Sequence, residues 1–319
     1  MEEAVAIVPE AVETALAVDA RPDFAGLRER FFRFLEVSPK SAETYARGLR
    51  SLFRFFAENG IANPARADLI AWKEDLKARS LAPATIQGYT IAARRFFAWT
   101  ETERAFPNIA RGIKGARVSR SHKKDYLPAQ AVRAVLGSFD RSTAEGRREY
   151  ALFALMVSCG LRDIEVSRAN IEDLRPVGDF TALFVQGKGR NDRAEYVKIP
   201  PEVEAAIRAY LRDREPVDAS APLFVSRSRN SSGARLSTRS ISAIVKHALI
   251  ASGYISSRLT AHSLRHTAIT LSLLGGATLQ EAQQFARHSN ISTTTIYAHN
   301  LEAAANTCAA KVASAIFAA

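Results

Sequence analysis

From Ser38 to Phe97 the apolar residues return every three or four positions, a period that an α-helix converts into one continuous buried face. Ser38-Pro39 starts a helix, with the proline suited to its first turn. Tyr45, Leu49, Leu52, Phe53 and Phe56 follow on one face until Gly60 stops it. A second stripe runs through Leu69, Trp72 and Leu76, and a third, after Pro83, through Ile86, Tyr89, Ala93, Phe96 and Phe97. These aromatics could stack on nucleobases, but their helical spacing predicts a core. Residues 23–110 are therefore expected to be a small helical bundle with basic outer faces.

The pattern changes beyond residue 110. Gly112 and Gly115 with their basic neighbours predict a linker over 111–124. A second domain is expected over 125–319, starting near Tyr126-Leu127-Pro128, with helices at about 128–137, 143–159 and 162–169. Two strand-like runs follow, Thr181–Val185 and Glu195–Ile199, joined by a Gly- and Asn-containing hairpin loop, Gly187–Arg193. Helices resume after Pro201, around a short apolar run at Leu223–Val225. The expected fold class is mainly α: an N-terminal helical bundle, then a mixed, mostly α domain with a small antiparallel β-sheet.

Charge narrows the partners. The 319 residues carry 44 Lys+Arg against 33 Asp+Glu, a formal net charge of +11. It is uneven: residues 1–22, read as an acidic loose tail, total −4, residues 23–124 total +10 and residues 125–319 total +5. Arg111, Lys114, Arg117, Arg120, Lys123 and Lys124 fall in a stretch without an acid. Such a stretch resists compaction and attracts polyanions, so nucleic acid is the expected partner and these six residues are its candidate contacts. A solvated basic linker is the alternative. No apolar run approaches the roughly 20 residues of a membrane helix, and the acidic Met1-Glu2-Glu3 start is unlike a signal peptide. Two cysteines, Cys159 and Cys308, cannot build a disulfide framework. The expectation is a cytoplasmic protein, without a membrane partner.

Several mechanisms lack their residues. There is no phosphate-binding G-x-x-x-x-G-K-[ST] loop. His262 and His266 are spaced like a zinc pair, but the accompanying glutamate is missing and Arg265 would repel a dication. No dense acidic cluster suggests a two-metal nuclease. No metal or other cofactor is expected. A set of cations and a tyrosine remains. Gly160-Leu-Arg162-Asp-Ile-Glu165 puts an arginine and a glutamate on one helix face, and His262-Ser-Leu-Arg265-His266 does the same for a histidine and an arginine. Lys188 sits in the glycine-flanked hairpin, and His288 precedes Tyr297 by nine residues.

The series Gly-Leu-Arg-x-x-Glu, Gly-Lys-Gly on a hairpin, His-x-Leu-Arg-His and Arg-His-Ser…Thr-x-x-x-Tyr-x-His resembles the tyrosine recombinases, or phage integrase family, over about 135 residues from Arg162 to Tyr297. The helical region before it resembles the family's DNA core-binding domain. The resemblance implies a site-specific recombinase that cuts and rejoins duplex DNA through a 3′-phosphotyrosine, without metal or ATP. Tyr297 would be the nucleophile, Arg162 and Arg265 would clamp the nonbridging oxygens, and His262 and His288 would add donors, with His262 accepting the tyrosine proton. Lys188 would protonate the leaving 5′-oxygen, with Arg190 and Arg193 as competitors on the same loop. Glu165 would hold Arg162. A DNA-gripping protein that has lost the chemistry, or a type IB topoisomerase, would share most of these residues.

One departure from the family's pattern is Ala286-Arg287 where many members carry Leu-Gly before the histidine; Arg287 is expected to face DNA. Leu301, Ala305, Cys308, Val312 and Ile316 fall on one helical stripe. They would pack on their own domain or, as the resemblance implies, dock on a neighbouring protomer, joining four copies on two DNA sites. The free protein is then expected to be mostly monomeric. With 22 residues before the bundle, no further DNA-binding domain is expected there, as in the shorter, Xer-like members.

Overall fold

The structure, a computed structural model, describes residues 22–117, 125–187, 192–214 and 217–317. The chain divides into two compact units, Met1–Arg120 and Ser121–Ala319.

In the first unit four helices form a bundle: α1 (Phe24–Arg33), α2 (Pro39–Glu58), α3 (Arg66–Ala78) and α4 (Pro83–Thr102). Asp23 caps α1 by accepting from the Gly26 amide, and Ser38 caps α2 through the Ser41 amide. The predicted stripes turn inward, with Leu49, Leu52, Trp72, Leu76, Phe96 and Phe97 buried. Phe24 lies against Phe53, Phe56, Phe96, Phe97 and Phe106 with ring centroids 5.2–6.4 Å apart, so the aromatics are core. Each such side chain contributes about 1.5–3 kcal/mol of burial.

Within the stretch expected as a linker, residues 111–117 pack on the bundle: Ile113 is buried, the Arg111 carbonyl accepts from Arg66, and the Lys114 carbonyl accepts from Lys73. Gly115 approaches Gln87 so closely that a Cβ would collide with it. The apolar Ile113 outweighs the tendency of its charged neighbours to stay in water. Arg120, Lys123 and Lys124 lie outside the described residues.

The second unit is built on α6 (Ala144–Cys159), whose Ala151–Val157 run is buried throughout. Before it comes α5 (Ala129–Gly137), and after it α7 (Asp163–Arg168). A three-stranded antiparallel sheet follows in the order β1 (Leu174–Val177), β2 (Phe180–Val185), β3 (Glu195–Ile199). Thr181 pairs with Ile199 and Val185 with Glu195, the predicted hairpin; residues 188–191, and Lys188 with them, lie outside the described residues. The sequence reading missed β1, where Pro176 argues against a strand, although Gly178-Asp179 makes a two-residue turn into β2. The chain continues through α8 (Pro201–Arg212), α9 (Thr238–Ala251), α10 (Ala261–Leu274), α11 (Leu279–Ala286), α12 (Ser292–Ala305) and α13 (Cys308–Phe317).

The expected tail stripe is interrupted. The chain leaves the helix after Ala305, Asn306 accepts from the Cys308 amide as a local cap, and α13 starts afresh. No residue of α13 is buried on its own unit, and Val312, Ile316 and Phe317 stand in solvent.

Candidate active site

The turn from α6 to α7 sets the first cation. Gly160 adopts the left-handed conformation (φ 59°), and a Cβ there would meet the Phe285 ring at 3.0 Å. The reversed chain leaves Arg162 as the residue capping α7. Glu165, at the third position of that helix, accepts from the Arg162 amide (2.8 Å) and from the Arg162 guanidinium (2.7 Å). Glu165 is 1 % exposed, and burial alone would raise its pKa. Arg287, the Arg162 amide, the Arg162 guanidinium and Arg265 outweigh that and hold the carboxyl below its ordinary value.

The second cation comes from α10. Arg265 is buried, donating to the Gly160 carbonyl (2.6 Å) and to the Ala286 carbonyl at the end of α11. Burial and the nearby Arg162 and Arg287 push its pKa down against Glu165 and Tyr297. A guanidinium still keeps its charge at neutral pH. The last carbonyl of α11, at the negative end of its dipole, thus helps hold the guanidinium.

Tyr297 comes from α12. Arg162, His262, Arg265, His266, His288 and Tyr297 line one cavity of about 330 Å³. Tyr297 is 5 % exposed, its ring packed with Ile269 and Ala286. Burial pushes its phenol up to about 12, with Arg265 and Arg162 pulling the other way. Its ring is 5.2 Å from that of His266 and 6.4 Å from that of His288. His288 shares a hydrogen bond between Nδ1 and the buried Thr294 hydroxyl (2.9 Å), and Gln283 holds the His288 backbone at both its amide and its carbonyl. His262, exposed at the rim, meets His266 edge-on at 4.7 Å.

His266 is the residue that sequence reasoning passed over. Its spacing from His262 is that of a zinc pair, yet it lies between His262 and the tyrosine ring. The i,i+4 spacing that suggested a metal also puts both rings on one helix face. Among the described residues no group of three or more His, Cys, Asp or Glu is placed to hold a metal ion.

Two basic residues have partners within the protein. The side chain of Arg287, expected to face DNA, is 6 % exposed, donates to Glu165 (2.8 Å) and to the Phe285 carbonyl (3.0 Å), and lines the same cavity as Tyr297. The cause is the buried carboxylate, which has an oxygen open to a second guanidinium. Arg193, the described competitor of Lys188, pairs with buried Asp173 (3.0 Å) and donates to the Arg168 carbonyl (3.3 Å), while Arg168 donates to the Gly187 carbonyl (3.1 Å). These bonds anchor both flanks of the hairpin loop. Gly187, Arg162, Arg287 and His288 line an adjoining cavity of about 700 Å³. In the first unit Arg111 pairs with Glu101 (2.8 Å), while Lys114 and Arg117 are exposed.

Comparison with known proteins follows the same lines. The sequence profile of the phage integrase family matches residues 126–304, and that of the phage integrase N-terminal SAM-like domain matches residues 29–104. Tyrosine recombinase XerC of Rhodospirillum centenum is 31 % identical over 300 residues, covering 89 % of this chain and 85 % of that protein. Tyrosine recombinase XerD of Caulobacter vibrioides is 29 % identical over 261 residues, covering 80 % and 84 %. The fold is similar to that of the XerH site-specific recombinase bound to a palindromic difH substrate (TM-score 0.70, 23 % identity, 88 % and 83 % covered). No described helix is long and apolar enough to cross a membrane. With a profile matching more than half of its length and a relative aligned almost end to end, the chain belongs to the phage integrase family, the tyrosine recombinases.

Proposed function

We propose that this tyrosine recombinase cleaves and rejoins duplex DNA at specific sites through Tyr297, with the reading carried by one observation: Tyr297 shares one cavity with Arg162, Arg265 and three histidines. The Tyr297 oxygen attacks a backbone phosphorus, the bond to the 5′-oxygen breaks, and a 3′-phosphotyrosyl bond replaces it. Arg162 and Arg265 receive the charge that builds on the nonbridging oxygens, as forked donors in a water-poor site. Tyr297 starts as a neutral phenol, so a base must take its proton; His262 does so, and His288 donates to the phosphate. Lys188 supplies the proton to the leaving 5′-oxygen. The phosphodiester's energy stays in the covalent link, so a 5′-hydroxyl from another strand can reverse the step.

Residues 23–110 would bind core DNA and residues 125–319 would carry the chemistry; residues 1–21 and 118–124, read from the sequence as tail and linker, lie outside the described residues. Two copies on each of two duplex sites would assemble as a tetramer from a mostly monomeric free protein. The exposed apolar face of α13 supports docking on a second copy. Two free cysteines support a cytoplasmic location.

The test is a duplex enriched from a random-sequence pool by binding to the full chain, then nicked so that the cleaved end diffuses away. The account expects covalent protein–DNA complex with the parent chain and none with Tyr297→Phe, which should bind the intact duplex as before. Complex formation by both, or by neither, contradicts it. Relaxation of any supercoiled plasmid without recombinant product would instead mark a topoisomerase.

A further inference from the structure

Arg287 occupies a backbone position that disfavours it. Its φ of 51° ends α11 in the left-handed conformation, which disfavours a residue with a Cβ relative to glycine. What the side chain gains there is a buried ion pair, 6 % and 1 % exposed at its two ends, with Glu165. The carboxylate is thereby divided: Oε1 accepts from the Arg162 guanidinium, while Oε2 accepts from the Arg162 amide and from Arg287. The guanidiniums of Arg162 and Arg287 bond this one carboxylate, and that of Arg265 lines the same cavity as both. The cluster carries a formal charge of +2.

Charge matching gives that excess a meaning. A phosphodiester carries one negative charge when it binds; once the phenol's proton has passed to His262, the phosphate and the attacking oxygen together carry two. A cage of +1 suits the bound substrate, whereas a cage of +2 suits the transition state, and only the latter preference accelerates the reaction. We propose that Arg287 is a positioning residue for strand cleavage: by sharing Glu165 it frees part of the Arg162 guanidinium for the phosphate and supplies the second uncompensated charge of the cage. It acts through Glu165, to which it is bonded, although it also lines the Tyr297 cavity. This rests on the reading of Arg162 as a phosphate clamp.

The experiment uses the full chain and the enriched nicked duplex, measuring single-turnover cleavage beside duplex affinity over a series of salt concentrations. Arg287→Gly, which also relieves the backbone, is expected to cleave at least about tenfold more slowly, with affinity and the slope of its salt dependence unchanged. Arg287→Lys keeps the charge and should retain most of the parent rate. The decisive arm is the double variant Arg287→Gly with Glu165→Gln, which restores the +2 cage and should cleave faster than Arg287→Gly alone; a merely structural role would make it worse. A parent-like rate for Arg287→Gly overturns the proposal. So does weaker binding with a shallower salt slope, the mark of a direct phosphate contact, or a double variant no faster than the single. Arg162→Ala separates the two levels: if it cleaves at the parent rate, the clamp reading fails and the proposal with it, whereas a negative Arg287 result leaves the clamp standing.

Discussion

At Glu165 one buried carboxylate accepts from a backbone amide and two guanidiniums. Removing it would leave Arg162 and Arg287 facing each other across a cavity with no counter-charge. Breaking a buried pair from one side costs about 3–5 kcal/mol, so Glu165→Ala should lose that much stability in urea denaturation of the full chain. A loss below 1 kcal/mol would mean that water already screens the cluster. The pH dependence has a definite sign. Glu165 is held below its ordinary value of 4.5, so its stabilising effect is complete above that pH and fades as pH falls through the lowered native value. The advantage of the parent over Glu165→Gln should therefore shrink on acidification below 4.5 and stay level above it.

Elements deliver these residues through their ends. The α6–α7 turn presents Arg162 and offers the Gly160 carbonyl to Arg265, and the end of α11 offers the Ala286 carbonyl to the same guanidinium. Gly160→Ala would force a Cβ into the left-handed region and against the Phe285 ring on α11. We expect a loss of about 2 kcal/mol, with Arg265 displaced and cleavage slowed; unchanged melting and cleavage would contradict that. The helix stripes and the Arg162, Arg265 and Tyr297 motifs were legible in the sequence, since period and spacing determine which side chains share a face. Other features were not. β1 was hidden by Pro176, the direction of Arg287 depends on a carboxylate more than 120 residues away in sequence (|i−j| = 122), and the packing of 111–117 depends on partners in α3 and α4. Contacts between distant segments leave no local periodicity to read.

Across the whole molecule, charge and apolar surface divide the work. The basic excess favours duplex DNA whatever its sequence, while no residue of α13 is buried within the described residues. Removing residues 308–319 should leave folding, binding to a single site and covalent complex formation on the nicked duplex intact, and abolish recombinant product. Full recombination by the truncated chain would contradict docking through α13. The account as a whole turns on one oxygen atom. Mass spectrometry of the covalent complex, trimmed with nuclease and protease, measures this most directly. It should find a nucleotide joined through its 3′-phosphate to the peptide that carries Tyr297. An adduct on any other residue, or a 5′-phosphate linkage, would contradict it.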